Sequence, residues 1–257
     1  MIRPIHFSDG KAPLFGVLHE PWDTPRWAVV ICPSWGMEYM RGYPGLRELA
    51  QLLARSGFAA FTFDYFATGD SAGDGCQATC ERWLTDIGDA ADEVRDASGA
   101  ERVCILGLRL GALLAQQAVR TGVVSADALI LWDAPTSGRH YVAEMRLLDE
   151  LLNAEKNRQR AAQAQLPLQA DDELLGHAWP DALAATIETL PDPTQVAYAG
   201  SRQPRFVYSR DSLAPSGVDV VQLPDPGAWS DPGKLTAPWL PATSVRALAD
   251  HLTKWLV

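Results

Sequence analysis

The chain alternates short apolar runs with stretches whose apolar residues return every three or four positions. Residues 2–8 and 14–20 mix apolar and polar positions as a short antiparallel opening pair does. Residues 27–33 (WAVVICP) and 58–65 (FAAFTFDY) are nearly continuous apolar runs, the texture of strands covered on both faces. Residues 102–108 (RVCILGL) and 128–132 (ALILW) repeat it. Between them, residues 45–56 set Leu46, Leu49, Leu52 and Leu53 at helical spacing and stop at Gly57. Residues 80–97 put Trp83, Leu84, Ile87, Ala91 and Val94 on one helical face, and residues 111–120 (GALLAQQAVR) read as a further helix. Strands and helices alternating at these lengths predict an α/β fold, a mostly parallel central sheet with helices on both faces.

Beyond Asp133 the texture changes. Residues 138–165 are rich in Ala, Leu, Glu, Arg and Gln without a strong turn signal, which predicts one or two long helices. Residues 136–190 therefore read as a helical cap inserted after the sixth strand, above the carboxyl ends of the strands, where such sheets bind ligands. Sheet texture returns at residues 205–209 (RFVYS) and 218–223 (VDVVQL). A Pro/Gly-rich loop, 224–241, and an amphipathic helix, 244–256, close the chain. The expected division is a core of residues 1–135 and 191–257 and a cap of residues 136–190.

Composition narrows the function classes. A 257-residue chain that is 47% hydrophobic has enough apolar content for a substantial core and too much for disorder. A formal net charge of -10 argues against nucleic acid as a partner, because that affinity rests on Lys and Arg neutralising phosphates. No run reaches the roughly 18–20 apolar residues of a membrane span. Residues 1–10 lack the apolar stretch of a secretory signal, so the expected location is the cytoplasm. Cys32 and Cys104 fall inside strands, as small buried hydrophobes do. Cys76 and Cys80 have no accompanying His/Cys cluster, so neither a metal nor a cofactor is expected, and a disulfide between them would be unusual in a reducing compartment. The expected partner is a small acyl or anionic molecule; the oligomeric state is not legible.

The chemistry concentrates at Gly107-Leu108-Arg109-Leu110-Gly111, a Gly-flanked turn between the fifth strand and its helix. With the sheet order and the cap, this turn resembles the nucleophile elbow of the α/β-hydrolase fold. That resemblance implies Gly-x-Ser-x-Gly, a nucleophile on a strained turn, with the helix N-terminus helping to stabilise an oxyanion. Here the frame is present and the nucleophile position holds Arg109, a guanidinium that stays protonated and only donates. The resemblance also implies a histidine between the last strand and the last helix. The loop 224–241, PDPGAWSDPGKLTAPWLP, has none, and His251 falls inside the last helix. Asp211 stands where the acid of the triad belongs, without a base to orient. Gly69-Asp70-Ser71-Ala72-Gly73 matches Gly-x-Ser-x-Gly literally, but it precedes an irregular Asp/Gly stretch, which favours Ser71 as a turn residue over Ser71 as a nucleophile.

The strings CPSWGMEYMRGYP, DYFATGDSAGD, GLRLGA and LWDAPTSG, in that order, are similar to the exosortase A system-associated hydrolases of type 2. That group is named for its fold and carries Arg at the elbow. Where its members show a His-Pro-Phe-like oxyanion turn, this chain has Cys32-Pro33-Ser34-Trp35, a departure that bears on ligand preference.

On the implied fold, Arg109 meets Asp64, Asp133 and Asp211 at neighbouring strand ends. It either forms an internal salt bridge with one of them or binds a carboxylate, phosphate or developing oxyanion. Ser34, Trp35, Gly36 and Leu110 are the candidate oxyanion or ligand-binding positions, and His140 at the start of the cap is a candidate base. Three readings stand. One is an enzyme without a covalent nucleophile, lyase-like, cyclase-like or water-activating, using Arg109, Asp64, Asp133, Asp211 or His140. Another is a catalytically inactive scaffold that binds a ligand or a protein partner. The third is a hydrolase whose nucleophile has moved to Ser34 or Ser71.

Overall fold

The computed structural model describes residues 1–8, 11–161, 173–196 and 204–256, with the backbone alone for residues 154–161. Eight strands form one sheet: β1 (Ile2–Phe7), β2 (Leu14–His19), β3 (Trp27–Cys32), β4 (Ala59–Phe63), β5 (Arg102–Leu108), β6 (Ala128–Trp132), β9 (Arg205–Tyr208) and β10 (Val220–Gln222). Their spatial order is β1-β2-β4-β3-β5-β6-β9-β10. β1 pairs with β2 and β2 with β4 antiparallel; every other pairing is parallel. Among the described residues two further strands, β7 (Glu173–Leu174) and β8 (His177–Ala178), make a separate small hairpin.

The continuous apolar runs are explained by a core on each face of the sheet, since alternate side chains of a strand leave on opposite sides. On β3, Val30 joins the layer beneath α2 (Cys80–Ser98) and α3 (Leu110–Thr121), with Trp83, Ile87 and Leu113. Its neighbours Val29 and Ile31 join the opposite layer under α1 (Gly36–Arg55) and α7 (Ala242–Trp255), with Leu49, Leu53, Val245 and Leu248.

α1 begins at Gly36, not at residue 45 as the periodicity predicts. Pro44 lies inside it, and Gly42 and Gly45 lie beside Leu108 and Pro241 at distances that leave little room for a side chain. A Pro among glycines is a turn signal by local propensity, but tertiary packing holds the first turns helical. The cap also departs from the all-helical expectation. α4 (Gly138–Ala161) is one long helix, with residues 162–165 outside the described residues, and between it and α5 (Asp181–Glu188) lies the β7/β8 hairpin. Tyr141, Val142, Met145 and Leu148 of α4 are buried in the same layer as α2 and α3. The loop 224–241 contains a short helix, α6 (Pro232–Leu235), capped by Asp231, whose carboxylate accepts the Gly233 N–H at 2.9 Å. No helix among the described residues is long and apolar enough to cross a membrane.

The loop after β4 is anchored from below by Asp86 of α2, which accepts the Phe66 N–H at 2.8 Å and Arg82 Nε at 2.7 Å. Burial pushes its carboxyl up to about 6, against those hydrogen bonds. Because this lies above the ordinary value of 3.8, the folded chain holds a proton that the unfolded chain has released, and stability falls as pH rises through that window. Relative to Asp86→Asn, the native chain is expected to lose up to about 3 kcal/mol between roughly pH 4 and pH 6. Urea melts of both proteins across this range check it; parallel curves sink it.

Candidate functional site

The strand-to-helix turn after β5 places Arg109 at φ 55°, ψ -119°, a conformation that side chains rarely adopt. It is held from both sides. The Arg109 N–H donates to the Trp132 carbonyl at 3.0 Å, and its carbonyl accepts the Ala112 N–H at 2.9 Å. A side chain on Gly111 would run into the carbonyl oxygens of Cys32 and Pro33, and one on Gly107 into the backbone of Gly111 and Ala112. The two glycines let α3 start directly against the end of β3.

The guanidinium does not reach an aspartate. Arg109 Nε donates to Glu38 Oε1 at 2.7 Å and Nη2 to Glu144 Oε2 at 2.7 Å, which corrects the expectation of a partner among Asp64, Asp133 and Asp211. Glu38 lies in the first turn of α1, fully buried, and its other oxygen accepts the Tyr141 hydroxyl at 3.2 Å. Glu144 comes from α4 and also accepts the Ser230 hydroxyl at 2.5 Å, so the clamp joins cap, core and the last loop. Burial pushes Glu38 upward against the pull of Arg109, and the nearby Glu144 adds to the push. Burial would raise Glu144 as well, but Arg109, the Ser230 hydroxyl and His140 hold it below the ordinary range. Burial works against the Arg109 cation, and the two carboxylates outweigh it.

Next to the clamp, Asp133 directly follows β6, at φ 46°, and is almost fully buried. Its carboxylate accepts the Ser209 N–H at 2.7 Å, the Ser209 hydroxyl at 2.6 Å and Trp229 Nε1–H at 2.8 Å. Burial raises its pKa against these three donors. The Trp229 ring lies 5.8 Å from the Arg109 guanidinium and 4.8 Å from that of Arg41, whose Nε and Nη1 donate to the Lys234 and Gly227 carbonyls. Arg109, Trp229 and Asp133 thus adjoin one another as an elbow residue, a last-loop ring with an N–H, and a strand-end carboxylate. Asp211 supports the loop instead. Its oxygens accept the Gly227 and Ala228 N–H groups at 2.5 and 2.9 Å and shape the segment that presents Trp229.

Of the other sequence candidates, Asp64 sits apart from Arg109. It accepts the Tyr39 hydroxyl at 2.6 Å and the Asp70 N–H at 2.9 Å, and burial raises its pKa. His140 is exposed and shares with Arg109, Glu144 and Asp211 an open cleft of about 480 Å³. Leu110 opens α3 and is buried. Ser34, Trp35 and Gly36 line a different cavity with His177 of the cap hairpin, and Gly36 has φ 60°. No group of three His, Cys, Asp or Glu side chains among the described residues is arranged to hold a metal ion. Cys32, Cys80 and Cys104 are free thiols.

No protein-family model and no curated protein matches this sequence. Solved structures do. Est1E from Butyrivibrio proteoclasticus superposes with a TM-score of 0.63 at 13% identity, covering 98% of this chain and 97% of that one. Mouse alpha/beta hydrolase domain-containing protein 10 covers 99% of both chains at a TM-score of 0.57 and 15% identity. An α/β serine hydrolase without a lid from Xanthomonas campestris covers 99% of this chain and 94% of its own, with a TM-score of 0.57 and 12% identity. This chain has the α/β-hydrolase fold.

Within the α/β-hydrolase fold, the two serines weighed as alternative nucleophiles differ. Ser71 Oγ donates to the Asp64 carbonyl at 2.6 Å and accepts the Phe15 N–H at 2.8 Å, a staple between β2 and the β4 loop. Ser34 Oγ has no hydrogen-bond partner among the described residues. The members of this cluster that sequence reasoning missed are Glu38, Glu144, Arg41 and Trp229 in its role as donor to Asp133. Glu144 had one available signal: it lies on the same face of α4 as buried Tyr141, Met145 and Leu148, at helical spacing.

Proposed function

We propose that this chain is a ligand-binding member of the α/β-hydrolase fold that performs no acyl transfer at its elbow. The observation that carries the reading is Arg109 in nucleophile-elbow geometry with its charge matched by Glu38 and Glu144. Covalent hydrolysis at that turn needs a hydroxyl, thiol or carboxylate nucleophile with a base to activate it or the attacking water. Arg109 supplies neither, and the adjoining last-loop ring is Trp229, an indole that donates and cannot accept a proton. Among the three readings this favours the inactive scaffold over an anion-binding enzyme. A cation held by two carboxylates has little left for an anionic ligand, and Asp211 and Asp231 line the same cleft. The Arg at the elbow and the GLRLGA string support kinship with the exosortase A system-associated hydrolases of type 2.

The test is covalent labelling with a fluorophosphonate together with turnover of short p-nitrophenyl esters. Neither is expected, and Arg109→Ser is expected to remain inactive because the loop 224–241 offers no histidine. Stoichiometric labelling of the native chain overturns the reading, and the labelled residue names the nucleophile. One observation favours the relocated nucleophile as a second reading: the unpartnered Ser34 hydroxyl shares a cavity with His177, which burial holds largely neutral near pH 7. Mapping an adduct to Ser34 selects it.

A further inference from the structure

A separate open groove, also of about 480 Å³, lies between α1 and the part of the sheet formed by β2 and β4. Strand alternation builds its floor. Leu14 and Leu18 of β2 and Phe61 and Phe63 of β4 belong to the layer under α2 and α3, so Phe15, Val17 and Thr62 between them face α1. Tyr39 and Tyr43, one turn apart on α1, form the opposite wall with their rings edge to face at 5.9 Å. Among the described residues that line the groove there is no member of the Arg109 clamp.

Asp64 closes one end. It follows β4 directly and continues the alternation toward α1, its Oδ1 accepting the Tyr39 hydroxyl at 2.6 Å and its Oδ2 the Asp70 N–H at 2.9 Å. Both partners donate, so the group is held as a carboxylate, with about half of its four acceptor sites in use. Asp64 is 7% exposed, and a buried carboxylate is costly without a cation. Glu38 and Asp86, the other deeply buried acids that receive an arginine, have Arg109 and Arg82. Asp133 has three donors. Among the described residues no Lys, Arg or His pairs with Asp64, and the nearby Asp70, exposed at the rim, carries the same sign. Arg47 also lines the groove, but it stands exposed on α1, two turns beyond Tyr39, and makes no ion pair with Asp64.

We infer that this groove binds a small organic cation with an apolar, ring-sized body, its ammonium group donating to the Asp64 carboxylate and its body lying along Tyr43, Phe15 and Val17. The carboxylate supplies the counter-charge and a charge-assisted hydrogen bond, and the tyrosine rings favour a cation over a neutral molecule of the same shape. A metal ion fits less well. Hard cations take six or more oxygen ligands, whereas the one buried carboxylate here stands among aromatic and aliphatic side chains. The inference is independent of the non-catalytic reading, because the groove and the elbow share no residue.

Phenylethylamine, phenylethanol and phenylpropionate share a ring and a tether and differ in charge, so titration of the full chain with each near neutral pH, followed by ligand-observed NMR or calorimetry, tests the idea. The amine is expected to bind, the alcohol about tenfold more weakly and the carboxylate more weakly still. Asp64→Asn keeps the side-chain shape and removes the charge; it is expected to weaken the amine at least about tenfold and to leave the alcohol unchanged. Tyr43→Ala, at a position 42% exposed, is expected to fold and to weaken the amine about twofold to fivefold, and it carries the test if Asp64→Asn does not fold. Amine binding that survives these substitutions is general attraction to a chain of net charge -10 and overturns the inference. Displacement of the amine by Mg2+ or Ca2+ at matched ionic strength, or no saturable binding up to about 10 mM, overturns it as well. A fluorophosphonate adduct bears on the non-catalytic reading alone.

Discussion

Arg109→Ala is expected to lower stability by about 3–5 kcal/mol, the cost of leaving buried carboxylates without their cation. For a chain of this size that corresponds to a fall in Tm of roughly 6–20 °C. Glu38 is the reason for the magnitude: it is 0% exposed, and after the substitution only the Tyr141 hydroxyl remains to it. Glu144, at 13% side-chain exposure, keeps Ser230 and recovers part of its hydration, so Glu144→Gln alone is expected to cost less than Arg109→Ala. Because desolvating three charges offsets much of their attraction, the triple variant Arg109→Met, Glu38→Gln, Glu144→Gln is expected to regain most of the loss. Thermal and urea melts of the single and triple variants settle the matter. A single-variant loss under about 1 kcal/mol would show that the clamp is energetically idle.

Trp229→Ala is expected to cost about 3–5 kcal/mol by the usual penalty for emptying a buried aromatic site. Trp229 is 4% exposed, packs edge-on against Trp239 at 4.7 Å, and lies against the Arg41 guanidinium. It is also one of three donors to Asp133. Trp229→Phe keeps most of the ring and removes the donor, so it isolates the hydrogen bond, for which about 1–3 kcal/mol is expected. The two variants separate packing from polar satisfaction. If Trp229→Phe melts with the native chain, the indole is filler and its likeness to the missing histidine is accidental.

Both effects arise where the sequence was least informative. The central strands were legible because they are covered on both faces, and a doubly buried strand has to be apolar, as β3 and β6 are throughout and β5 is beyond Arg102. The turn at Arg109 was legible because its two glycines, Gly107 and Gly111, are sterically required. Glu38 was not, since it lies in GMEYMRGYPG, where glycines and Pro44 outweigh any helical period. Glu144 stands on a helix whose composition reads as solvated. Contacts between positions 71, 35 and 96 apart in sequence join Arg109 to Glu38, Arg109 to Glu144 and Asp133 to Trp229. Local periodicity carries no information over those separations.

By itself, the sequence determined the layered α/β architecture and the Gly-flanked strand-to-helix turn that carries Arg109, because each follows from residue type at a local spacing. Only the tertiary structure decided what Arg109 does. A buried guanidinium takes whichever carboxylates the fold delivers within hydrogen-bonding distance, and these are Glu38 from the first turn of α1 and Glu144 from the cap, not the strand-end aspartates. The folded chain also separates the two places where ligand chemistry was expected. Arg109, its charge matched, lies at an open cleft with Glu144 and His140, whereas Ser34, Trp35 and Gly36 line a different cavity that has no charged side chain among its described lining residues.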